Sequence, residues 1–194
     1  MERSSDMKRK NIAAALLVLF CAVLGFAREG ACRMEQGAIT LNAFGGGYFF
    51  EGNQNVADSP MGGLGVTYAL DPNWAVEFFA SYGNFAVTYE GARCNCSEKD
   101  TDVDGVATWV SVLYELDVEG KVTPFFTLGL GGLFLEDNRA IEREASLLGN
   151  MGAGLKYHLR EWLWFRTELL YALTTPGAYN NAMAWAGFSV KIAP

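Results

Sequence analysis

The chain is short of charge, of base and of imidazole. Only 19% of its 194 residues are charged, Lys and Arg number 15 against 22 Asp and Glu, and His158 is the one histidine. The formal charge of −7 excludes most nucleic-acid binders. At 51% hydrophobic the chain is also too apolar for an intrinsically disordered tail. Beyond residue 27 no stretch holds 18 consecutive apolar residues, which excludes membrane-spanning helices. Cysteine gives no framework either: with Cys21 set aside in an N-terminal leader, Cys32, Cys94 and Cys96 remain, an odd number. Cys94-Asn95-Cys96 supplies a tight local disulfide or half a zinc site, and His158 lies far from it in sequence, so the pair reads as structural or incidental.

What is abundant is glycine, 22 residues, and an apolar leader. A basic stretch (Arg3, Lys8, Arg9, Lys10) precedes an unbroken apolar run from Ile12 to Phe26 and then Gly25-Phe26-Ala27. This is the layout of a secretory signal peptide, residues 1–27, cut after Ala27; the apolar run is shorter than the roughly 20 residues needed to span a bilayer. Its removal takes away four basic and two acidic residues and moves the charge from −7 to −9. A short periplasmic segment, 28–36, and one β domain, 37–194, are then expected.

The apolar period over that domain is two. From Trp74 to Tyr82 the even positions are Trp74, Val76, Phe78, Ala80 and Tyr82, and the odd ones carry Ala75, Glu77, Phe79 and Ser81. Such alternation gives a strand one greasy face and one mixed face. Eight runs of this kind lie at about 37–51, 61–70, 74–89, 103–117, 121–135, 145–159, 162–173 and 182–192. Asp71-Pro72-Asn73, Val118-Glu119-Gly120 and Arg160-Glu161 read as tight turns. The stretches Gly52 to Pro60, Glu90 to Asp102, Asp137 to Glu144 and Thr174 to Asn181 read as long polar loops.

An even strand number, with short turns at one end and long loops at the other, predicts an antiparallel transmembrane β-barrel with its turns in the periplasm. Tyr68, Trp74, Tyr114, Tyr157 and Trp162 all fall near the short turns on the apolar parity, as a girdle at one membrane interface does.

The sequence resembles the small outer-membrane β-barrel family of OmpA and OmpX type. The likeness lies in Ile39-Thr40-Leu41 leading to Gly45-Gly46-Gly47-Tyr48-Phe49, in Pro124 to Gly132, in Gly152-Ala153-Gly154-Leu155-Lys156-Tyr157 and in Phe165 to Leu169. The closing Gly187 to Ile192 is similar to the family's C-terminal assembly signal, with Ile192 where an aromatic is usual. The resemblance implies an eight-stranded barrel in the bacterial outer membrane. Its expected partners are the lipid bilayer, lipopolysaccharide and the insertion machinery, and its expected state a monomer without cofactor.

Inward charges then decide between a plug and a pore, because eight strands leave an interior that side chains fill. The assigned set is Glu77, Glu115 and Glu168 against Lys156, Arg166 and Lys191, and mutual pairing would seal the lumen. Inward glycines are expected to make room for Phe79, Trp109 and Trp164. Asp100-Thr101-Asp102-Val103-Asp104-Gly105 has calcium-loop spacing, but the twelfth position is Ser111 in place of the bidentate Glu, so Asp100, Asp102 and Asp104 are a weak metal candidate. With His158 beside a short turn, no Ser-His-acid constellation is in reach of the outer leaflet, and no catalytic role is assigned. A plugged barrel with a structural or surface role is the first reading. A small-solute channel or ligand-binding barrel is the second, and a soluble lipocalin-like barrel the third.

Overall fold

The computed structural model describes residues 34–50, 57–87, 101–135, 145–175 and 179–193. The leader and all of Cys32, Cys94, Cys96 and Asp100 lie outside them.

Eight strands form: β1 (Ile39–Phe49), β2 (Ser59–Ala69), β3 (Trp74–Val87), β4 (Thr101–Glu115), β5 (Val122–Leu135), β6 (Ala145–Arg160), β7 (Leu163–Thr175) and β8 (Tyr179–Ala193). Each pairs antiparallel with its sequence neighbour, and β8 pairs back onto β1, from Ile39↔Ala193 to Phe49↔Ala182, so the sheet is a closed barrel. Closure gives every strand a neighbour on both sides through the body of the barrel, the condition for crossing hydrocarbon with β structure. At 11 to 16 residues the strands reach or exceed the 9–11 that a tilted bilayer crossing requires.

Burial follows the alternation. Ala75, Glu77, Phe79 and Ser81 are buried, whereas Trp74, Phe78 and Tyr82 are about half exposed; Leu64, Leu128 and Leu130 are 65–69% exposed. Large aliphatic side chains so exposed around a whole sheet make it inside-out relative to a water-soluble fold. A lipocalin-like barrel would carry polar residues there.

The tight turns are built from local chemistry. Asp71 Oδ1 accepts from the backbone N–H of Asn73 at 2.7 Å and of Trp74 at 2.8 Å, which bends the chain between β2 and β3. Gly120, with φ of 132°, turns the β4–β5 connection in a conformation that L side chains rarely adopt. One expected loop is shorter than the sequence suggests. β7 runs to Thr175 and β8 starts at Tyr179, so Thr174 and Asn181 belong to strands and only residues 176–178 connect them. Polar Asn180 and Asn181 mask the strand there: Asn181 points inward, where its Nδ2 donates to Tyr48 and Thr174.

Candidate functional site: the barrel lumen

The lumen has two layers. Toward the short turns, inward positions of seven strands converge on charge. Arg166 of β7 donates from Nη1 to Glu77 Oε2 at 2.5 Å, from Nη2 to Glu77 Oε1 at 3.0 Å and from Nη2 to Glu168 Oε2 at 2.6 Å. The first two contacts form a planar fork, the geometry for which guanidinium suits a carboxylate. Glu77 also accepts from Thr67 Oγ1 at 2.6 Å and from Asn42 Nδ2 at 3.2 Å, and Thr127 Oγ1 donates to Glu168 at 2.7 Å. The guanidinium carbon lies 4.5 Å from the centroid of Phe125 and 5.0 Å from that of Phe44, so aromatic faces take the positions water would hold.

Lys156 of β6 pairs directly with Glu115 of β4, both 3% exposed. Lys191 stands apart from this set. It lies at the mouth of the barrel and bonds Glu35 at 2.8 Å, itself largely exposed. The six expected charges thus divide into five inside and one at the rim, and among the described residues the interior network holds three carboxylates against two bases.

The other layer, toward the long loops, is apolar. Phe79 stacks on Trp109 at 4.3 Å and meets Trp185 edge-on at 5.3 Å, while Phe44 lies 5.5 Å from Phe79. Leu133, Leu148, Leu170, Met183, Phe85 and Tyr48 extend the cluster. Glycines make this possible: Gly131 sits opposite Trp109 and Gly65 opposite Phe79, and a Cβ on either would run into the neighbouring strand or ring. Trp164 is housed differently, opposite His158, with ring centroids 5.7 Å apart. A void of about 10 Å³, room for one water molecule, lies between the charged and aromatic layers.

His158 lies at the short-turn end and shares a 3.2 Å hydrogen bond through Nε2 with Thr123 Oγ1. It lines a mouth chamber of about 220 Å³ with Met34, Glu35, Glu115, Lys156 and Lys191. Of the metal candidates, Asp102 falls in β4, and Asp104 accepts from Tyr82 Oη at 2.7 Å and Asn84 Nδ2 at 2.9 Å. Among the described residues no group of three or more His, Cys, Asp or Glu side chains is placed to hold a metal ion.

On the outside, Trp74 and Tyr114 are register partners with rings 4.7 Å apart, Tyr68 pairs with Ile39, and Tyr157 pairs with Val122. Trp162, in the β6–β7 turn, is 51% exposed beside them. A second ring of exposed aromatics, absent from the sequence reading, stands at the other end: Phe49, Tyr82, Phe134 and Tyr171. Tyr82 and Tyr171 each donate a hydroxyl to a polar neighbour, Asp104 and Asn180. Tyr82 is eight residues along β3 from Trp74, about 19 Å of height at a tilt near 45°. Tyr82 and Tyr171 both lie in segments whose alternation marks them as strand, but alternation does not report that they share a height.

Residues 13–191 match the family model of the outer membrane protein beta-barrel domain. The chain belongs to this family. It is therefore a protein of the outer membrane, with its greasy outer face in contact with lipid. Outer membrane porin F of Pseudomonas aeruginosa is 25% identical over 166 residues, covering 84% of this chain and 45% of that protein, so the chain spans less than half of the relative's length. Among solved structures, OprG of P. aeruginosa superposes with a TM-score of 0.64 at 15% identity, covering 85% of this chain and all of that one. The N-terminal β-barrel domain of OprF from the same organism gives 0.58 at 22%, covering 82% and 100%, and Neisserial surface protein A gives 0.60 at 14%, covering 81% and 100%.

Proposed function

We propose that this outer-membrane barrel is a non-enzymatic, monomeric protein with a sealed lumen, acting as a structural element and through the surface of its long loops. The supporting observation is the stack of two complementary barriers. The Arg166 fork fills the charged layer, the Phe79–Trp109–Trp185 cluster fills the apolar one, and the void where they meet measures about 10 Å³. A solute crossing the first layer would have to break a buried ion pair, and in the second it would lose its water with nothing to replace it.

The name of the relative porin F favours a second reading, a small-solute channel. Planar-bilayer recording of the purified full chain separates the two. The sealed barrel gives no steady unitary current. Steady, salt-dependent openings in the wild-type protein, altered in size by Arg166→Ala, would replace the first reading by the second.

A further inference from the structure

The segment before β1 folds back onto the barrel. Gly37, with φ of 86°, sits in the left-handed region that glycine adopts freely, and its N–H donates to the carbonyl of Ala69, the last residue of β2, at 2.9 Å. The Ala38 N–H reaches the Glu35 carbonyl at 3.0 Å and closes a tight turn. The chain ahead of Gly37 is thereby aimed over the short-turn mouth of the lumen. Met34 crosses that mouth: it packs against the buried cluster of Ala75, Leu113 and Phe125, and β5, which carries Phe125, stands opposite β1 in the ring of strands. Its Sδ lies 4.0 Å from Lys156 Nζ on β6, while Glu35 holds Lys191 on β8.

Residues 34–38 therefore form a strap. Beneath it lies the Lys156–Glu115 pair, and Glu115 is the last residue of β4, at a level where an uncovered barrel end would admit water. Both partners are nonetheless 3% exposed. Met34 supplies that cover. It differs from the other methionines of the described residues: Met61 and Met183 are buried in the aromatic layer, and Met151 is 53% exposed on the lipid-facing side. Met34 is partly exposed and lines the mouth chamber of about 220 Å³.

We propose that Met34 is an oxidation-sensitive latch on this mouth, with a water-soluble peroxide as the oxidant. The sulfur lone pair attacks one peroxide oxygen, an S–O bond forms as the O–O bond breaks, and the other oxygen leaves as water with both protons. The thioether gives up a pair of electrons and the peroxide takes them. The sulfoxide oxygen is a strong acceptor in a seat where Ala75, Leu113 and Phe125 offer no side-chain donor. Turning it to Lys156 sets it in competition with Glu115 for the ammonium. Hydration outside the mouth satisfies it better, so the strap lifts. The remaining side-chain hold, Glu35 on Lys191, is 63% and 25% exposed and restrains it weakly. Water then enters the chamber, while the Arg166 fork and the aromatic layer stay in place. The latch is therefore independent of whether the lumen conducts.

The test follows acetylation of Lys156 by an N-hydroxysuccinimide ester, read by peptide mass spectrometry on the purified protein in lipid nanodiscs, with exposed Lys121 as the reference. Heat-modifiable gel migration verifies folding. Dilute hydrogen peroxide should oxidise Met34 ahead of Met61, Met151 and Met183 and raise the Lys156 rate about tenfold or more, the factor that corresponds to stranding one polar group. Met34→Gln, which puts a polar amide where the sulfoxide would stand, is open without peroxide. Met34→Leu, apolar and inert to peroxide, stays closed before and after treatment, and decides the matter if Met34→Gln does not fold. The proposal is overturned if Met34 is not oxidised first, or if oxidised wild-type protein keeps Lys156 protected. It is also overturned if a folded Met34→Gln stays as closed as wild type, or if peroxide opens Met34→Leu equally.

Discussion

Replacing Arg166 by Ala removes the base from between two carboxylates that are buried away from bulk water. Arg166 is 1% exposed, Glu77 3% and Glu168 8%. Breaking a buried pair by deleting one partner destabilises by about 3–5 kcal/mol, because the surviving charge keeps its desolvation penalty without its counter-charge. Arg166→Ala orphans two carboxylates at once, so the upper part of that range is expected. The two acids are not equivalent. Glu77 accepts four hydrogen bonds, two of them from the Arg166 fork and two from Thr67 and Asn42. Glu168 accepts one from Arg166 and one from Thr127. The interior also carries one carboxylate more than it has bases. Glu168→Gln therefore removes excess negative charge while leaving the fork intact, and its effect should stay within about 1 kcal/mol. Glu77→Gln should lose about 2–4 kcal/mol, since it breaks the fork itself. Urea unfolding in lipid vesicles, followed by fluorescence of the buried tryptophans, measures all three. The reasoning is refuted if Glu168→Gln is as damaging as Arg166→Ala, or if Arg166→Ala shifts stability by less than about 1 kcal/mol.

Three further outcomes are expected. Trp109→Ala empties the aromatic layer and should lower stability by about 3–5 kcal/mol, and a detectable unitary current in bilayer recordings of this variant would accompany the loss. Gly131→Leu drives a side chain against Trp109 and its strand and should destabilise by about 1–3 kcal/mol or prevent heat-modifiable migration; a variant as stable as wild type would show that Gly131 does not make room for the indole. Spin labels at positions 76 and 78 should be relaxed by oxygen dissolved in the hydrocarbon and a label at 79 should be protected, a contrast that vanishes if the exposed row does not face lipid.

Alternation carried most of the architecture in the sequence because a strand turns each successive side chain to the opposite face, and a barrel in lipid makes that difference absolute. From Trp74 to Tyr82 parity alone separates the residues that lie exposed from those that are buried. Parity does not report height. Lys191 shares the inward face with Arg166 but lies near the end of β8, and the stagger of closed strands places it at the rim beside Glu35. For the same reason the pairing of Glu115 with Lys156, on strands that are not neighbours, could be listed as a compatible set of charges but not drawn as a contact. The division of the lumen into charged and aromatic layers was equally out of reach. It depends on Trp185 of β8 reaching Phe79 and Trp109 of β3 and β4 across the interior, a relation between strands far apart in the chain. The end of β7 and the start of β8 were missed where polar composition near residues 174–181 suggested loop, although Asn181 turns inward to serve Tyr48.

The hydrogen-bonded seam between β1 and β8 joins residues as distant as Ile39 and Ala193. Every other ladder can form as a local hairpin, but this one waits for the final strand, so the protein has no finished cylinder until its last segment is delivered. Until then two borders stay unzipped, and the seam that retires them spans the largest sequence separation of the eight ladders and so carries the largest loop-closure entropy.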